Sequence, residues 1–398
     1  MRIETDIVIA GAGIIGLAVA RAIKTAAPQL RVLIIEKEDS LGLHASGRNS
    51  GVIHAGFYYS PDSLKARFCR DGNRELRSII SKYNLPLLNT GKVVVTQNIP
   101  EVSDLENLYK RGLENGVDLQ LLPERKLEEL EPLARTVEKF IWSPNTGVSD
   151  PKKLINALLF EVSSLGVDFM FGTEVNILDR QLFVDKKLVP FLHFINCTGS
   201  QSDRIAQNFG VAGEYSMIPF LGKYRTVAHD KVPIRTLVYP IPHKLNPFLG
   251  VHLTLGVDGK VKIGPSAIPV IGREQYSWRT LPSEKDMTSS AKGILAMLKG
   301  GHHDFYTLAK SEIAKLHTPN LISAAAALVP HVKTVSRWDV KPPGIRSQLI
   351  NRTSGKLEQD FMVLSGEKST HVLNAVSPGW TSAFPFGTFV ATLALESI

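Results

Sequence analysis

A strand that runs into three closely spaced glycines dictates how this chain begins to fold. Asp6 to Ala10 is short and apolar and ends at Gly11, Gly13 and Gly16, with Ile14 and Ile15 inside the motif. A helical stretch follows and leads to a second strand, Arg31 to Ile35, which ends at Glu36 and Lys37. In this context the three glycines do different things. The first makes the tight turn, the second lets the backbone approach a pyrophosphate, and the third lets helix pack on strand. The helix N-terminus leaves N–H groups for the phosphates. Glu36 lies 20 residues past Gly16, where a carboxylate accepts ribose hydroxyls. An ordinary Gly-rich turn does not bring strand, glycines, helix, strand and acid in this order. The motif alone leaves NAD and FAD open.

The next segment favours FAD. An NAD domain continues into further βα units, whereas here Ala45, Ser46, Gly47, Asn49, Ser50 and Gly51 precede an apolar and aromatic run that contains His54, Tyr58 and Tyr59. Small residues let a backbone lie against a flat ring system with N–H groups and hydroxyls facing its heteroatoms.

The stretch SGRNSGVIHAGFYYSPDSLKARFCRDG, starting at Ser46, resembles the D-amino-acid-oxidase-type superfamily of FAD enzymes, and within it the L-2-hydroxyglutarate dehydrogenase/oxidase family. The resemblance returns at Thr146 to Leu154, Tyr239 to Pro269, Pro342 to Leu349 and Val372 to Gly387, so it spans nearly the whole chain. The least typical part is Val376 to Ser382, where Trp380 introduces an indole. The resemblance implies an α/β fold: a Rossmann-like FAD-binding domain with an inserted antiparallel-sheet substrate domain, of the glutathione-reductase/D-amino-acid-oxidase type. Residues 1–85, 146–212 and 335–398 then form the FAD domain, and 86–145 with 213–334 the substrate cap. It further implies that Val175 holds the adenine through its backbone, that Thr198 and Gly199 lie beside the pyrophosphate, and that Ser382 and Gly387 sit near the flavin. A helix over Gly387 to Glu396 would point its positive end at the flavin pyrimidine edge and favour the anionic reduced form.

Composition sets limits. At 398 residues with 43% hydrophobic content, the chain buries substantial cores and divides into two domains. Cys69 and Cys197 are its two cysteines, with no metal spacing, which predicts buried thiols in a reducing compartment. The first strand begins almost at once after Met1, and no apolar run approaches the roughly 18 residues of a membrane span, so a cytoplasmic protein is expected. The net charge of +8 is scattered, without the basic blocks of a nucleic-acid surface. Such a surface suits anionic substrates or peripheral contact with an anionic bilayer, and equally a protein that is simply basic. Nothing in the sequence separates oxygen from a membrane quinone or respiratory-chain component as electron acceptor.

Along the chain, Gly91 to Gln97 reads as a strand, Glu101 to Glu114 as a helix, and Pro151 to Leu165 as a helix with Asp150 as N-cap and Pro151 at its first position. From Gly213 to about Thr334 the pattern turns antiparallel. Its clearest hairpin is Val251 to Gly264, with Asp258-Gly259 at the turn. Alternation there puts His252 and Thr254 on one face, and Val251, Leu253 and Leu255 on the other.

Oxidising a 2-hydroxy acid requires a carboxylate clamp, removal of the hydroxyl proton and transfer of the Cα hydrogen as hydride. Arg346, in a stiff approach after Pro342-Pro343, is the clamp by its family position; the plain alternative is an interdomain salt bridge. His252, on the polar face of the hairpin, is the first choice as base. His54 competes, as a substrate or flavin contact. Of Tyr58 and Tyr59, one is expected to pack and one to offer a hydroxyl. Lys223 or Arg225, on one face of a short strand, would meet the distal carboxylate of a diacid, with a solvated strand face as the equal alternative. His193 reads as a core histidine, and the His302-His303 doublet as a loop feature without a metal. The expected reaction is oxidation of L-2-hydroxyglutarate to 2-oxoglutarate. A glycerol-3-phosphate dehydrogenase-like enzyme, an amine-oxidising relative and a flavin-binding redox sensor without turnover are the alternatives.

Overall fold

The computed structural model describes residues 4–242, 249–277, 279–299 and 303–398, with backbone alone for 299, 303–306 and 308. One sheet has the strand order Val363–Gly366, Ser369–Val372, His193–Asn196, Ile7–Ala10, Val32–Ile35, Val167–Met170. Its pairings are parallel except at the edge formed by Val363–Gly366. Parallel strands are covered on both faces and therefore read as continuous apolar runs, which is why IVIA and VLII are wholly buried. Ile7, Ile9 and Ile34 face the helices Ile14–Ala26, Pro151–Ser164 and Ala383–Leu395. Val8, Ala10, Leu33 and Ile35 face a small meander, Asn176–Leu178, Gln181–Val184 and Lys187–Val189, through Ile177, Leu182 and Val189. The expected N-cap is present: Asp150 Oδ1 accepts from the N–H groups of Lys152 at 2.9 Å and Lys153 at 3.2 Å.

Among the described residues the second sheet has nine strands. At its middle the hairpin His252–Leu255/Lys260–Gly264 pairs His252 with Gly264 and Leu253 with Ile263, and Gly259 takes a φ of +68° at the turn. On one flank lies the long strand Tyr215–Ala228, on the other Leu237–Pro240, Lys92–Val95, Lys139–Ser143 and Gln120–Pro123.

Four features differ from the expectations. The strand Asp339–Asn351 pairs along its length with Tyr215–Ala228, so the large sheet takes in chain that the boundary at residue 335 had assigned to the FAD domain. Arg346 accordingly sits on an extended edge strand and not in a turn-like approach. Pro342-Pro343 fall at a register shift opposite Lys223, where a missing N–H costs no ladder bond. The antiparallel stretch is interrupted by the helices Glu284–Lys299, His303–Ala314 and Thr318–Ala326, which no turn signal announced. They cover the sheet: Leu321 and Ala325 pack with Ile263, and Met297 with Ile218. Finally, the C-terminal helix starts at Ala383, four residues before Gly387. Pro385 looks like a break in sequence but lies in the first turn, where its lack of an N–H is tolerated.

Candidate active site

A cavity of about 350 Å³ runs from the glycine turn to Arg346, between the parallel sheet and the large sheet. At the turn Gly11 takes a φ of +99°, and a Cβ there would stand 2.6 Å from the Cys197 carbonyl oxygen. Gly13, Ile14, Ile15 and Ser46 line the cavity, and the Ile14 N–H donates to Ser46 Oγ at 3.0 Å. Acidic residues are absent from the first turn of the helix Ile14–Ala26, so no carboxylate competes for its N-terminal N–H groups.

Glu36, Lys37 and Val175 line the far end, and Thr198 with Gly199 the wall between. The Glu36 carboxylate accepts from Ala12 N at 2.8 Å and from Glu38 N at 3.1 Å, so it is held beside the glycine turn. Lys37 Nζ bridges Glu38 at 2.9 Å and Glu274 at 2.6 Å, which ties the nucleotide side to the cap. Asn49 and Ser50 also line the cavity. Asn49 fixes the loop, because its amide donates to the Ser46 carbonyl at 2.7 Å and its oxygen accepts from Gly51 N at 2.9 Å. A glycine turn, a helix N-terminus without an acidic residue in its first turn and a fixed carboxylate in series fit a dinucleotide with its pyrophosphate on the helix.

Gly16, Gly47, Gly51, Ser382 and Gly387 do not line the cavity. The glycines serve close approach instead: a Cβ on Gly16 would stand 2.0 Å from Gly11 O, on Gly47 2.1 Å from Gly42 O, on Gly51 2.2 Å from Ser149 O, and on Gly387 2.8 Å from Ala18. Ser382 is buried at the start of the C-terminal helix with no partner for its hydroxyl among the described residues. Its neighbours Trp380 and Thr381 are the ones that face the cavity.

The two histidines part company. His54 lines the cavity, its backbone N–H donates to Thr381 Oγ1 at 3.1 Å, and its ring Nδ1 has no partner among the described residues. Burial first, then the proximity of Lys92, His252 and Arg346, hold its imidazole well below the ordinary value and therefore neutral. His252 sits behind this position. Its ring stacks on Tyr239 at 3.9 Å between centroids, and its Nδ1 is bonded to the Gly250 carbonyl at 2.8 Å. A carbonyl accepts only, so Nδ1 carries the proton and Nε2 is bare. Burial pulls its pKa down to about 3. His252 and Tyr58 do not line the cavity. The Tyr58 hydroxyl is buried without a hydrogen-bond partner among the described residues.

Arg346 lines the cavity, half-buried, with Tyr224, Tyr59, Glu312 and Tyr239 in its field. The expected distal anchors point elsewhere: Lys223 Nζ donates to Leu316 O at 3.0 Å, and Arg225 to Thr318 Oγ1 at 2.7 Å, both toward the helical insertion. Strand alternation explains this, since the cavity faces of that strand are Gly222 and Tyr224. His193 is a core residue, bonded to Thr370 Oγ1 at 2.9 Å. Cys69 and Cys197 are free thiols whose pKa burial pushes up to about 12. The side chains of His302 and His303, and residues 243–248 of the Tyr239 to Pro269 motif, lie outside the described residues.

Sequence reasoning missed Lys92, Lys65 and Tyr239. Lys65 is buried over the rings of Tyr59 and Phe361, and burial lowers its pKa to about 8. Lys92 carried a signal that went unused: a charge at an inward position of the strand KVVV, where period-2 burial calls for an apolar side chain.

The family model described as FAD dependent oxidoreductase matches residues 6–393. The L-2-hydroxyglutarate dehydrogenase of Indibacter alkaliphilus is 32% identical, with 99% of each chain covered. That of Escherichia coli strain K12 is 31% identical, covering 97% of this chain and 92% of its own. The mitochondrial L-2-hydroxyglutarate dehydrogenase of Caenorhabditis elegans is 32% identical over 98% and 93%. Among solved structures, a dithionite-reduced L-α-glycerophosphate oxidase from Mycoplasma pneumoniae with FAD bound superposes with a TM-score of 0.74 at 20% identity, over 99% of this chain and 95% of that one. A glycine oxidase from Geobacillus kaustophilus gives 0.73 at 18% identity, over 99% and 95%.

Proposed function

Because the chain belongs to the FAD dependent oxidoreductase family, we propose that it oxidises L-2-hydroxyglutarate to 2-oxoglutarate. The observation that carries this reading is one continuous cavity with the dinucleotide cradle at one end and a half-buried arginine near a neutral histidine at the other. Near full-length likeness to proteins named L-2-hydroxyglutarate dehydrogenase supports the choice of substrate.

The Gly11–Gly13 turn, Glu36, Ser46 and Thr198 would hold FAD, which would supply the hydride acceptor. Arg346 pairs with the C1 carboxylate through its planar fork, which fixes the carbon that is to be oxidised. His54 accepts the hydroxyl proton; its neutral form is the basic form, and its place on the cavity wall puts it ahead of His252. His252, locked by Gly250 and stacked on Tyr239, supports the wall and the local field. Trp380, Tyr224 and Val52 line the cavity and would offer the flavin ring apolar surface.

The electron acceptor is a quinone or oxygen. A quinone in an anionic bilayer is favoured by Leu281, 89% exposed, with exposed Leu295 and Leu298 alongside exposed Lys285 and Lys292 in the helical insertion. No helix among the described residues is long and apolar enough to cross a membrane. Co-sedimentation with vesicles containing phosphatidylserine checks this contact.

The test of substrate is anaerobic flavin bleaching. L-2-Hydroxyglutarate should reduce the flavin far faster than its D enantiomer, L-lactate or glycerol-3-phosphate. Equal rates with lactate remove the diacid requirement, and preference for glycerol-3-phosphate replaces the substrate.

A further inference from the structure

Lys92 opens the strand Lys92–Val95, flanked by Leu237–Pro240 and Lys139–Ser143 inside the large sheet. Val93 and Val95 point to the cluster of Phe140 and Ile263, whereas Val94 points to that of Phe57 and Tyr239. Lys92 shares the face of Val94, against the loop that carries His54, and is 0% exposed. Its ammonium lies 4.4 Å from the ring centres of Phe57 and Tyr58 and 4.9 Å from that of Tyr239. It has no hydrogen-bond partner among the described residues, and residues 243–248, which follow the adjoining strand, contain no Asp or Glu. Cation–π attraction offsets part of the cost of burying an ammonium and leaves the rest uncompensated.

The groups facing it are His54 and Tyr58 from the flavin loop, Tyr239 from the adjacent strand, His252 from the strand beyond it, and Cys69 from the helix Leu64–Lys82. None is anionic at neutral pH: burial raises the Cys69 thiol to about 12 and moves both tyrosines upward. Arg346 adds a further cation to the field at His54. The site therefore holds an ionisable lysine with no acid beside it among the described residues, and His54, on the cavity wall, lies within its field.

We propose that Lys92 is the second counter-charge of the substrate site, kept without an acid of its own so that the incoming dianion supplies the negative charge, and that binding this dianion draws a proton onto Lys92. The assignment rests on the diacid reading above and replaces Lys223 and Arg225. Lys92 acts through the field across His54, not by contact. Burial brings its pKa down to about 7, so at pH 8 it is largely neutral until an anion arrives.

The test is calorimetric titration of the FAD-loaded protein with 2-oxoglutarate at pH 8, in two buffers of different ionisation enthalpy. Wild type should take up on the order of half a proton or more, and Lys92→Met should lose that uptake and bind on the order of 10-fold more weakly. Lys92→Gln should behave alike. Because Met fills the volume without a buried charge, Lys92→Met should also melt at a higher temperature with FAD retained. Unchanged affinity and proton uptake in Lys92→Met overturn the proposal, and so does a lower melting temperature with FAD lost, which makes Lys92 structural. A wild type that neither binds 2-oxoglutarate nor is bleached by L-2-hydroxyglutarate overturns the substrate reading instead.

Discussion

A neutral imidazole on a cavity wall and another locked behind it make different demands on a substitution. His54→Asn removes the proton acceptor and should slow flavin reduction by about 10²- to 10⁴-fold with FAD retained. His252→Asn should cost less, because Nδ1–H to Gly250 is a bond the asparagine amide can reproduce. Stopped-flow reduction of the two variants decides between them; native-rate reduction by His54→Asn would return the role to His252. Arg346→Lys keeps the charge and loses the planar fork. Its apparent substrate affinity should fall, again with FAD bound, and an unchanged KM would reduce Arg346 to an interdomain contact.

Elements meet where side chains are missing. The helices Ile14–Ala26 and Ala383–Leu395 approach so closely at Gly387 that a Cβ would stand 2.8 Å from Ala18. Gly387→Val should therefore overpack the joint and lower stability by about 1–3 kcal/mol, and it should loosen FAD through the shifted first turn. Thermal unfolding with cofactor release measures both; a native melting temperature would mean the helices slide apart freely. At the other end of the site, Glu36→Arg removes a carboxylate that two backbone N–H groups hold in place. FAD retention after gel filtration should fall while the fold persists.

The whole molecule is built around histidines that burial keeps uncharged. His193 and His371 are lowered to about 4 and His252 to about 3. In the unfolded chain each binds a proton near pH 6.5, but in the folded chain only well below that. The unfolded state thus holds more protons across this window, and stability falls as pH drops from about 6.5 toward 5, by about 1.4 kcal/mol per pH unit for each histidine fully out of step. Urea midpoints at pH 7 and pH 5.5 should differ accordingly, and His252→Asn should flatten the slope. A midpoint independent of pH in that interval would mean that the histidines are hydrated in solution.

The sequence by itself determined the nucleotide half of the protein. Strand, Gly11, Gly13, helix and Glu36 are local chemistry, so their order along the chain already states what they do. The hairpin at Asp258-Gly259 was legible for the same reason, since turn residues and alternation act over a few positions. Only the tertiary structure decided the substrate half. Lys92 and His252 lie on separate strands, and Tyr239 reaches both through sheet pairing, which no periodicity predicts. Alternation correctly put His252 on a polar face, but whether that face opens to the cavity depends on the flavin loop packed against it. The same packing turned Lys223 and Arg225 away, drew Asp339–Asn351 into the cap sheet, and buried a lysine where a sequence pattern calls for valine. Burial is set by what lies opposite, and that is a property of the fold, not of the neighbours in the chain.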